Sequence, residues 1–432
     1  TLPGEAGATA EVEQFDRALL TYPRRFVAVD GELAFSGDSG AYALSRLDAD
    51  PILLDLTDPA RPVRLSLPDT DASPVAFADP EAGRRDYLAL SRSAARRPES
   101  LRPIHPERLL DPHQQADYLM IAHASLLPAL RPLADYRARQ GLAVRALDVQ
   151  DLYDTFGDGT PDPAAIRAFL RYVQADWAAP APRFVLLVGK ASYDPRNYLG
   201  GPNPNLLPVH LLSTPHLGQA ASDNWYVAGP DEVAPTLAVG RLPAETPGQV
   251  SIIVQKIIGY EVGVGTPTYP PAEQPEWLRR AVFVTDDLEP GFDASAEDFI
   301  RRLPPEITPA RVYLSEYGGD VATARERLIA EWNAGALLYT YIGHGSVETW
   351  AAGPLFGPEH FARIQNGERL PILVTPTCLD GYFYHPQIDS LAEHLLFKPG
   401  GGIVAGLVPT GLSLTFAQDI LMQAALAELF EP

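Results

Sequence analysis

The chain has 432 residues, 46% hydrophobic and 21% charged, with a formal net charge of −21. This length suits two or three globular domains with a sizeable core and excludes a disordered or fibrous chain. The negative surface repels phosphate backbones, which excludes nucleic acid as a partner and favours basic peptides or divalent cations, and no apolar run approaches the ~20 residues of a membrane span.

The chain starts at Thr1 without an initiator Met or a signal-like segment, so it reads as a processed product whose targeting segment is out of view. Residues 1–110 read as a small β-rich domain. "RRFVAVDGELAFSG" and "PILLDLTDPARPVRLSL" are short β-branched or alternating runs broken by Asp-Pro and Gly. Residues 96–115 are polar and proline-marked, as in a linker. The 43 prolines are scattered along the chain and read as stiffened loops. From 117 the pattern becomes strand, helix, strand. "DYLMIAH" predicts a strand, 124–140 a helix, "LAVRALDV" a strand, 161–176 a helix and "RFVLLVG" a buried strand. A looped region containing "SDNWYVAG" and "PTLAVGRLP" follows, then a helix over 246–260, closing a first α/β subdomain over 117–262. Residues 261–277 form a Gly/Pro-rich break. A second α/β subdomain over 278–432 has strands at "RAVFVTDD", "ARVYLS", "ALLYTYIG", "PILVTPT" and "GIVAGLV". Helices are predicted over 293–303, 321–333, 358–366, 387–398 and 414–430. The fold class is α/β with mainly parallel sheets.

In open α/β sheets, ligands bind beyond the carboxyl ends of the strands. "ALLYTYIG" ends at His344, bracketed by Gly343 and Gly345, and "PILVTPT" ends at Cys378, the only cysteine. The two lie one β-α-β crossover apart, so they face each other across one crevice if their strands are neighbours. A thiolate nucleophile needs a base close by. The glycines let substrate backbone approach, and the amides of Gly345 and Cys378 supply an oxyanion hole. The chemistry would be acyl transfer through a thioester. Taken singly, His344 reads as a capping residue and Cys378 as packing. Asp286 and Asp287 end another strand, and either one orients the imidazole. Thr410 and Gly411, at a further strand end, form a wall of the substrate cleft.

"YIGHGS", "PTCLDGYF", "SLAEHLL", "GGGIVAG" and "PTGLS", with "RFVLLVGKASYD", "ASDNWYV" and "AVGRLPAETPGQV" upstream, resemble the gingipain family of cysteine peptidases over residues 117–415. The resemblance implies a caspase-like fold of two α/β subdomains behind a β-rich domain. It implies a His344–Cys378 dyad with an acid from the "VTDD" segment, and endopeptidase activity after Arg or Lys. It also implies secretion or a cell-surface location, zymogen processing and room for structural calcium; the chemistry itself needs no cofactor, and the partners are protein or peptide substrates. Lys190 departs from the pattern, because relatives often carry an acidic residue there. The acid that would set basic specificity has no motif; Asp293, Glu297 and Asp298 are the nearest candidates in sequence. Two alternatives stay open: a transpeptidase or sorting enzyme on the same scaffold, and a catalytically silent surface protein.

"LLVGKAS" is not a phosphate loop, since Phe184 and Ala191 occupy positions that need Gly and Ser or Thr. His385 reads as a loop residue facing solvent, and Gly400–Gly402 as the end of a helix. Asp154, Asp158 and Asp162 cluster as calcium ligands would but lack the spacing of an EF-hand, which favours a solvated turn.

Overall fold

The computed structural model describes residues 20, 22, 24–67, 74–98, 101–214, 218–229, 234–264, 275–351 and 353–430. Most of the expected 261–277 break therefore lies outside the described residues. The chain divides into two compact units, Thr1–Pro103 and Ile104–Pro432.

The first unit is antiparallel. Its strands are β1 (Glu32–Gly37), β2 (Gly40–Leu44), β3 (Ile52–Asp55), β4 (Val63–Leu65), β5 (Val75–Asp79) and β6 (Arg85–Leu90). They form a four-stranded sheet in the order β1-β6-β3-β4 and a β2-β5 pair. β5 alternates buried and exposed residues along Val75–Asp79, as a strand with one wet face must. Its inward Phe77 joins Phe35, Tyr42 and Tyr87 in an aromatic cluster over Leu33, Leu44 and Leu53.

The second unit starts with a short helix α1 (Glu107–Leu110) and holds two parallel sheets. The first is built from β7 (Tyr118–Ala122), β8 (Val144–Asp148), β9 (Phe184–Val188) and β12 (Ala238–Leu242), in the order β12-β9-β7-β8. Around it lie α2 (Leu127–Arg139), α3 (Val149–Phe156), α4 (Pro163–Asp176) and α6 (Pro247–Val264). A hairpin of β10 (Leu211–Thr214) and β11 (Gly218–Ala221) and the short α5 (Asn224–Val227) fill the crossover between β9 and β12. The second sheet is built from β13 (Arg280–Thr285), β14 (Thr308–Tyr313), β15 (Leu338–Ile342), β16 (Ile372–Val374) and β17 (Ala405–Leu407), in the order β14-β13-β15-β16-β17. It is accompanied by α7 (Gly291–Ile300), α8 (Val321–Ala334), α9 (Leu391–Leu396) and α10 (Thr415–Phe430).

The local chemistry accounts for these elements. All five residues of β15 are buried, which suits a strand covered on both faces. Asp162 caps α4 by accepting from the Ala164 amide, and Pro163 starts the helix at no hydrogen-bond cost. Asp148 caps α3 in the same way, a helix that the sequence pattern did not single out. The fold class agrees with expectation, with two departures besides α3. The sequence pattern predicts a loop at "AVGRL", but these residues form β12, an edge strand parallel to β9. Its Arg241 side chain is 4% exposed; Asp223 balances its charge and three carbonyls accept its remaining donors. The expected helix over 358–366 is only a 3₁₀ turn, Pro358–Arg363. β15 and β16 pair directly, with Thr340 opposite Val374, so their carboxyl ends are side by side.

Candidate active site

His344 follows β15 and Asp286 follows β13, its direct neighbour. Asp286 is almost fully buried, and its Oδ2 accepts from the His344 amide at 2.6 Å, meets His344 Nδ1 at 3.2 Å and accepts from the Tyr341 hydroxyl at 3.4 Å. Oδ1 accepts from the Leu288 amide at 3.1 Å. The Tyr341 hydroxyl also donates to the His344 carbonyl at 2.6 Å. The imidazole, half exposed, leans edge-on against Phe292, and its Nε2 lies 3.5 Å from Glu289 Oε1. Asp287, by contrast, is exposed and makes no hydrogen bond or ion pair to His344. Of the two aspartates left open by the sequence, the structure brings Asp286 to the histidine.

The flanking glycines are sterically required. A Cβ on Gly343 would sit 2.8 Å from Asp286 Oδ2, and one on Gly345 would sit 2.8 Å from the Cys378 carbonyl oxygen and overlap the Thr377 hydroxyl. The chain leaving His344 therefore runs against the Cys378 backbone. The Gly343 amide adds a bond to the Pro376 carbonyl at 3.3 Å. The Cys378 thiol is half-buried; its Sγ contacts the carbonyl and hydroxyl of Ser413, at 3.7 and 3.9 Å, instead of the imidazole. Leu379 takes a left-handed φ of 65°, held by its amide on the Gly411 carbonyl at 3.2 Å, which turns the chain sharply after the thiol.

The two amides proposed for an oxyanion hole have no partner among the described residues. For Gly345 the reason is the register. Its bridge to Trp350 is flanked by Ala351 N to His344 O and Ser346 N to Thr349 O, which makes Gly345–Trp350 the non-bonded kind of antiparallel pair. Asp380, two residues after the thiol, is fully buried and accepts the Trp350 indole N–H on both oxygens, at 2.9 and 3.0 Å; burial pushes its carboxyl up to about 7. Glu289, Ser413, Trp350 and Asp380 were not anticipated. Their proximity to His344 and Cys378 depends on register and turns that carry no motif.

Thr410 and Gly411 lie beside the Cys378 loop, but their polar groups face inward. The Thr410 hydroxyl donates to the Ala221 carbonyl at 2.7 Å, and its carbonyl accepts from Tyr384. A cavity of about 780 Å³ behind this loop is bordered by Thr410, Gly381, Phe383, β12 and β17, and neither Cys378 nor His344 reaches it. The three acids suggested for basic specificity are engaged elsewhere. Asp293 accepts from Thr285 and Ser315, Glu297 from Arg311 and Tyr313, and Asp298 pairs with Arg301. Asp162 is spent on its helix cap and Asp154 accepts from Gln150; no group of three or more metal-binding side chains is assembled among the described residues. His385 is half-buried rather than solvent-facing, its Nδ1 accepting from the Gln387 and Ile388 amides.

The family model described as "Peptidase family C25" matches residues 111–432. The chain belongs to that family. Among curated proteins, Gingipain R2 and Gingipain R1 of Porphyromonas gingivalis are each 23% identical to it over 288 residues. That stretch is 65% of this chain but 34% and 25% of those two proteins, so the chain spans about a third or less of the relatives it matches. Among solved structures, one described as the Arg specific cysteine proteinase gingipain R aligns with a TM-score of 0.54 at 19% identity, covering 74% of this chain and 68% of that one. A complex of the pro- and mature domains of RgpB aligns with a TM-score of 0.53 at 18% identity, covering 72% and 68%. These likenesses bear out the caspase-like α/β fold. Family C25 membership makes a cysteine peptidase the class to which the site belongs. No described helix is long and apolar enough to cross a membrane.

Proposed function

We propose that this C25 chain is a secreted cysteine endopeptidase, made as a zymogen, that cleaves peptide bonds after Arg or Lys. Cys378 is the nucleophile, His344 the general base and Asp286 the orienting acid. The observation that carries this reading is the arrangement at three adjacent strand ends, those of β13, β15 and β16. Buried Asp286 holds the His344 ring and backbone, while the next residue, Gly345, packs on the Cys378 carbonyl.

In the reaction, the Cys378 thiol gives its proton to His344 and its sulfur attacks the scissile carbonyl carbon. The oxyanion that forms is met by the free amides of Gly345 and Cys378. The C–N bond then breaks, and the leaving amine takes the proton from His344. Water, deprotonated by His344, hydrolyses the thioester and regenerates the thiol. The Sγ contact with Ser413 is long enough to be given up when substrate arrives. No ion is needed for any of these steps; structural calcium, as in the resemblance, would act on stability alone.

Basic specificity is supported by the net charge of −21 and by the Arg-specific relative in the same family. Secretion and zymogen processing rest on the family resemblance, and the latter also on the relative solved with its pro-domain. The test is hydrolysis of a mixed peptide library, read by mass spectrometry, with wild type and Cys378→Ala. Cleavage after Arg and Lys that vanishes in the variant is expected, and equal activity in both defeats the proposal.

A further inference from the structure

Among 34 basic residues only three are lysines, Lys190, Lys256 and Lys398, and all three gather around α9, the first helix after Cys378. Lys190 follows β9 and is 2% exposed. Its Nζ lies 3.2 Å from Glu245 Oε1 and 3.2 Å from Glu393 Oε1, and it bonds Asp389 Oδ1. Glu393 is the N3 residue of α9, and its other oxygen accepts from the Ser390 amide and hydroxyl at 2.8 Å each. One carboxylate thus closes the capping box and anchors the ammonium. At the far end of α9, Lys256 of α6 donates to the carbonyls of Leu395, Leu396 and Ile403 at 3.1, 2.7 and 3.3 Å.

Both lysines come from the half of the unit built on the first sheet, whereas α9 and Cys378 belong to the second. Between the thiol and α9, further bonds tie the halves together: Tyr193 N to Tyr384 O, Asn203 N to Pro386 O and Asn203 Nδ2 to His385 O. An ammonium is a compact charge with three donors, so it can meet three acceptors converging on one point; a planar guanidinium cannot. Three acceptors converge at each end of α9. At its C-terminus two of them, the Leu395 and Leu396 carbonyls, are those on which the helix dipole places negative charge, and the third is the Ile403 carbonyl beyond the helix.

We propose that Lys190 and Lys256 are positioning residues for the Cys378 segment: two ammonium groups from the first-sheet half clamp α9 at both ends and fix the path of the chain leaving the thiol. The link to turnover rests on Cys378 being the nucleophile; the clamp itself does not. The groups facing Lys190 are Glu245, Asp389, Glu393 and, at longer range, His385. The carboxylates outweigh burial and hold the Lys190 ammonium charged, while burial keeps the Glu393 carboxyl up at about 7 against the pull of Lys190. Lys256 faces Lys398, and burial together with that like charge pushes it down to about 7, so its end of the clamp is a three-donor ammonium at pH 5 and mostly a two-donor amine at pH 8.

The experiment compares wild type, Lys190→Met, Lys190→Met/Glu393→Gln and Lys256→Met. It reads kcat and KM on an Arg peptide, the rate of Cys378 alkylation by iodoacetamide, and Tm from pH 5 to 8. K190M is expected to lose about 10- to 100-fold in kcat with KM within about twofold. Its Tm deficit should be larger at pH 8 than at pH 5, because uncompensated carboxylates recover stability only by taking up protons. E393Q in that background should restore at least half of the lost Tm. K256M should lose kcat and slow the alkylation of Cys378 while KM holds. Wild-type kcat in both lysine variants overturns the proposal. So does a K190M deficit that is the same at all pH values and unrelieved by E393Q, which is what lost methylene packing alone would give. If K190M does not fold at pH 8, the double variant decides: folded supports the clamp, unfolded refutes it. If wild type cleaves no peptide, the peptidase reading fails, and the Tm and alkylation arms still decide the clamp.

Discussion

Replacing Asp286 by Asn tests the proposed orienting acid most sharply. Asp286 Oδ2 serves three donors, the His344 amide, His344 Nδ1 and the Tyr341 hydroxyl, and Oδ1 serves the Leu288 amide. A carboxylate can accept from all of them, but a carboxamide cannot. Whichever way Asn turns, its NH2 group faces an N–H donor, either the Leu288 amide or the His344 pair. A hydrogen bond to a charged group contributes about 1.5–3 kcal/mol. Losing about 2 kcal/mol of ring orientation predicts a fall of ~30-fold in kcat/KM at about 1.4 kcal/mol per decade. The Tm should also drop, because the buried bond to the His344 amide weakens. The assay is steady-state cleavage of a fluorogenic Arg peptide, well below Tm, with active sites titrated by alkylation. Asp287→Asn, at the exposed neighbour, should stay within twofold. D286N retaining kcat/KM within threefold, or D287N falling as far as D286N, would refute the assignment.

Gly345→Ala places a methyl against the Thr377 hydroxyl and the Cys378 carbonyl, so kcat should fall at least tenfold while circular dichroism stays native; an active G345A removes the close-approach argument. Arg241→Met leaves the part-buried Asp223 without its partner and should cost about 1.5–3 kcal/mol of stability by urea unfolding; a loss under 1 kcal/mol contradicts the role given to that pair in β12. Asp380 has its folded carboxyl raised to about 7 by burial, so the folded state binds that proton more tightly and stability declines as pH rises from about 4 through 7. Asp380→Asn keeps an oxygen for the Trp350 indole and removes the buried charge. Its Tm should exceed that of wild type at pH 8, with the gap narrowing as pH falls and closing near pH 4, and a pH-independent difference would contradict the buried-charge argument.

The strands bearing the site were legible because "ALLYTYIG" and "PILVTPT" are uninterrupted apolar runs ending in Gly or Thr, as parallel strands covered on both faces must be. β12 was hidden because Arg241 interrupts it; the Asp223 carboxylate and three carbonyls that make a buried arginine tolerable come from 18 to 52 residues away. The choice between Asp286 and Asp287 was hidden for a related reason. Both follow the same strand, and only the pairing of β13 with β15 shows which carboxylate turns into the sheet to meet His344. Lys190 stood out in the sequence as a departure from the resemblance. Its carboxylate partners lie 55, 199 and 203 positions away, so its function could not be read locally.

The fate of the acidic residues near the thiol leads to one more test. Asp286 is committed to His344, Asp380 to Trp350 and Glu393 to its cap and Lys190, which leaves Glu289 as an exposed carboxylate at the imidazole. With Nδ1 on Asp286, Nε2 is the nitrogen that must exchange a proton with Cys378, and Glu289 Oε1 lies 3.5 Å from it. Glu289 therefore competes with the thiolate for the same imidazolium edge. The pair is exposed on both sides, so the competition amounts to no more than about 1 kcal/mol and is screened by salt. Glu289→Gln should raise kcat/KM by about two- to fivefold for every cleavable peptide, whatever residue precedes the scissile bond. The gain should shrink as ionic strength goes from about 0.05 to 0.5 M. A selective loss on Arg peptides would show instead that this carboxylate receives the basic side chain of the substrate, and the competition argument would then be wrong.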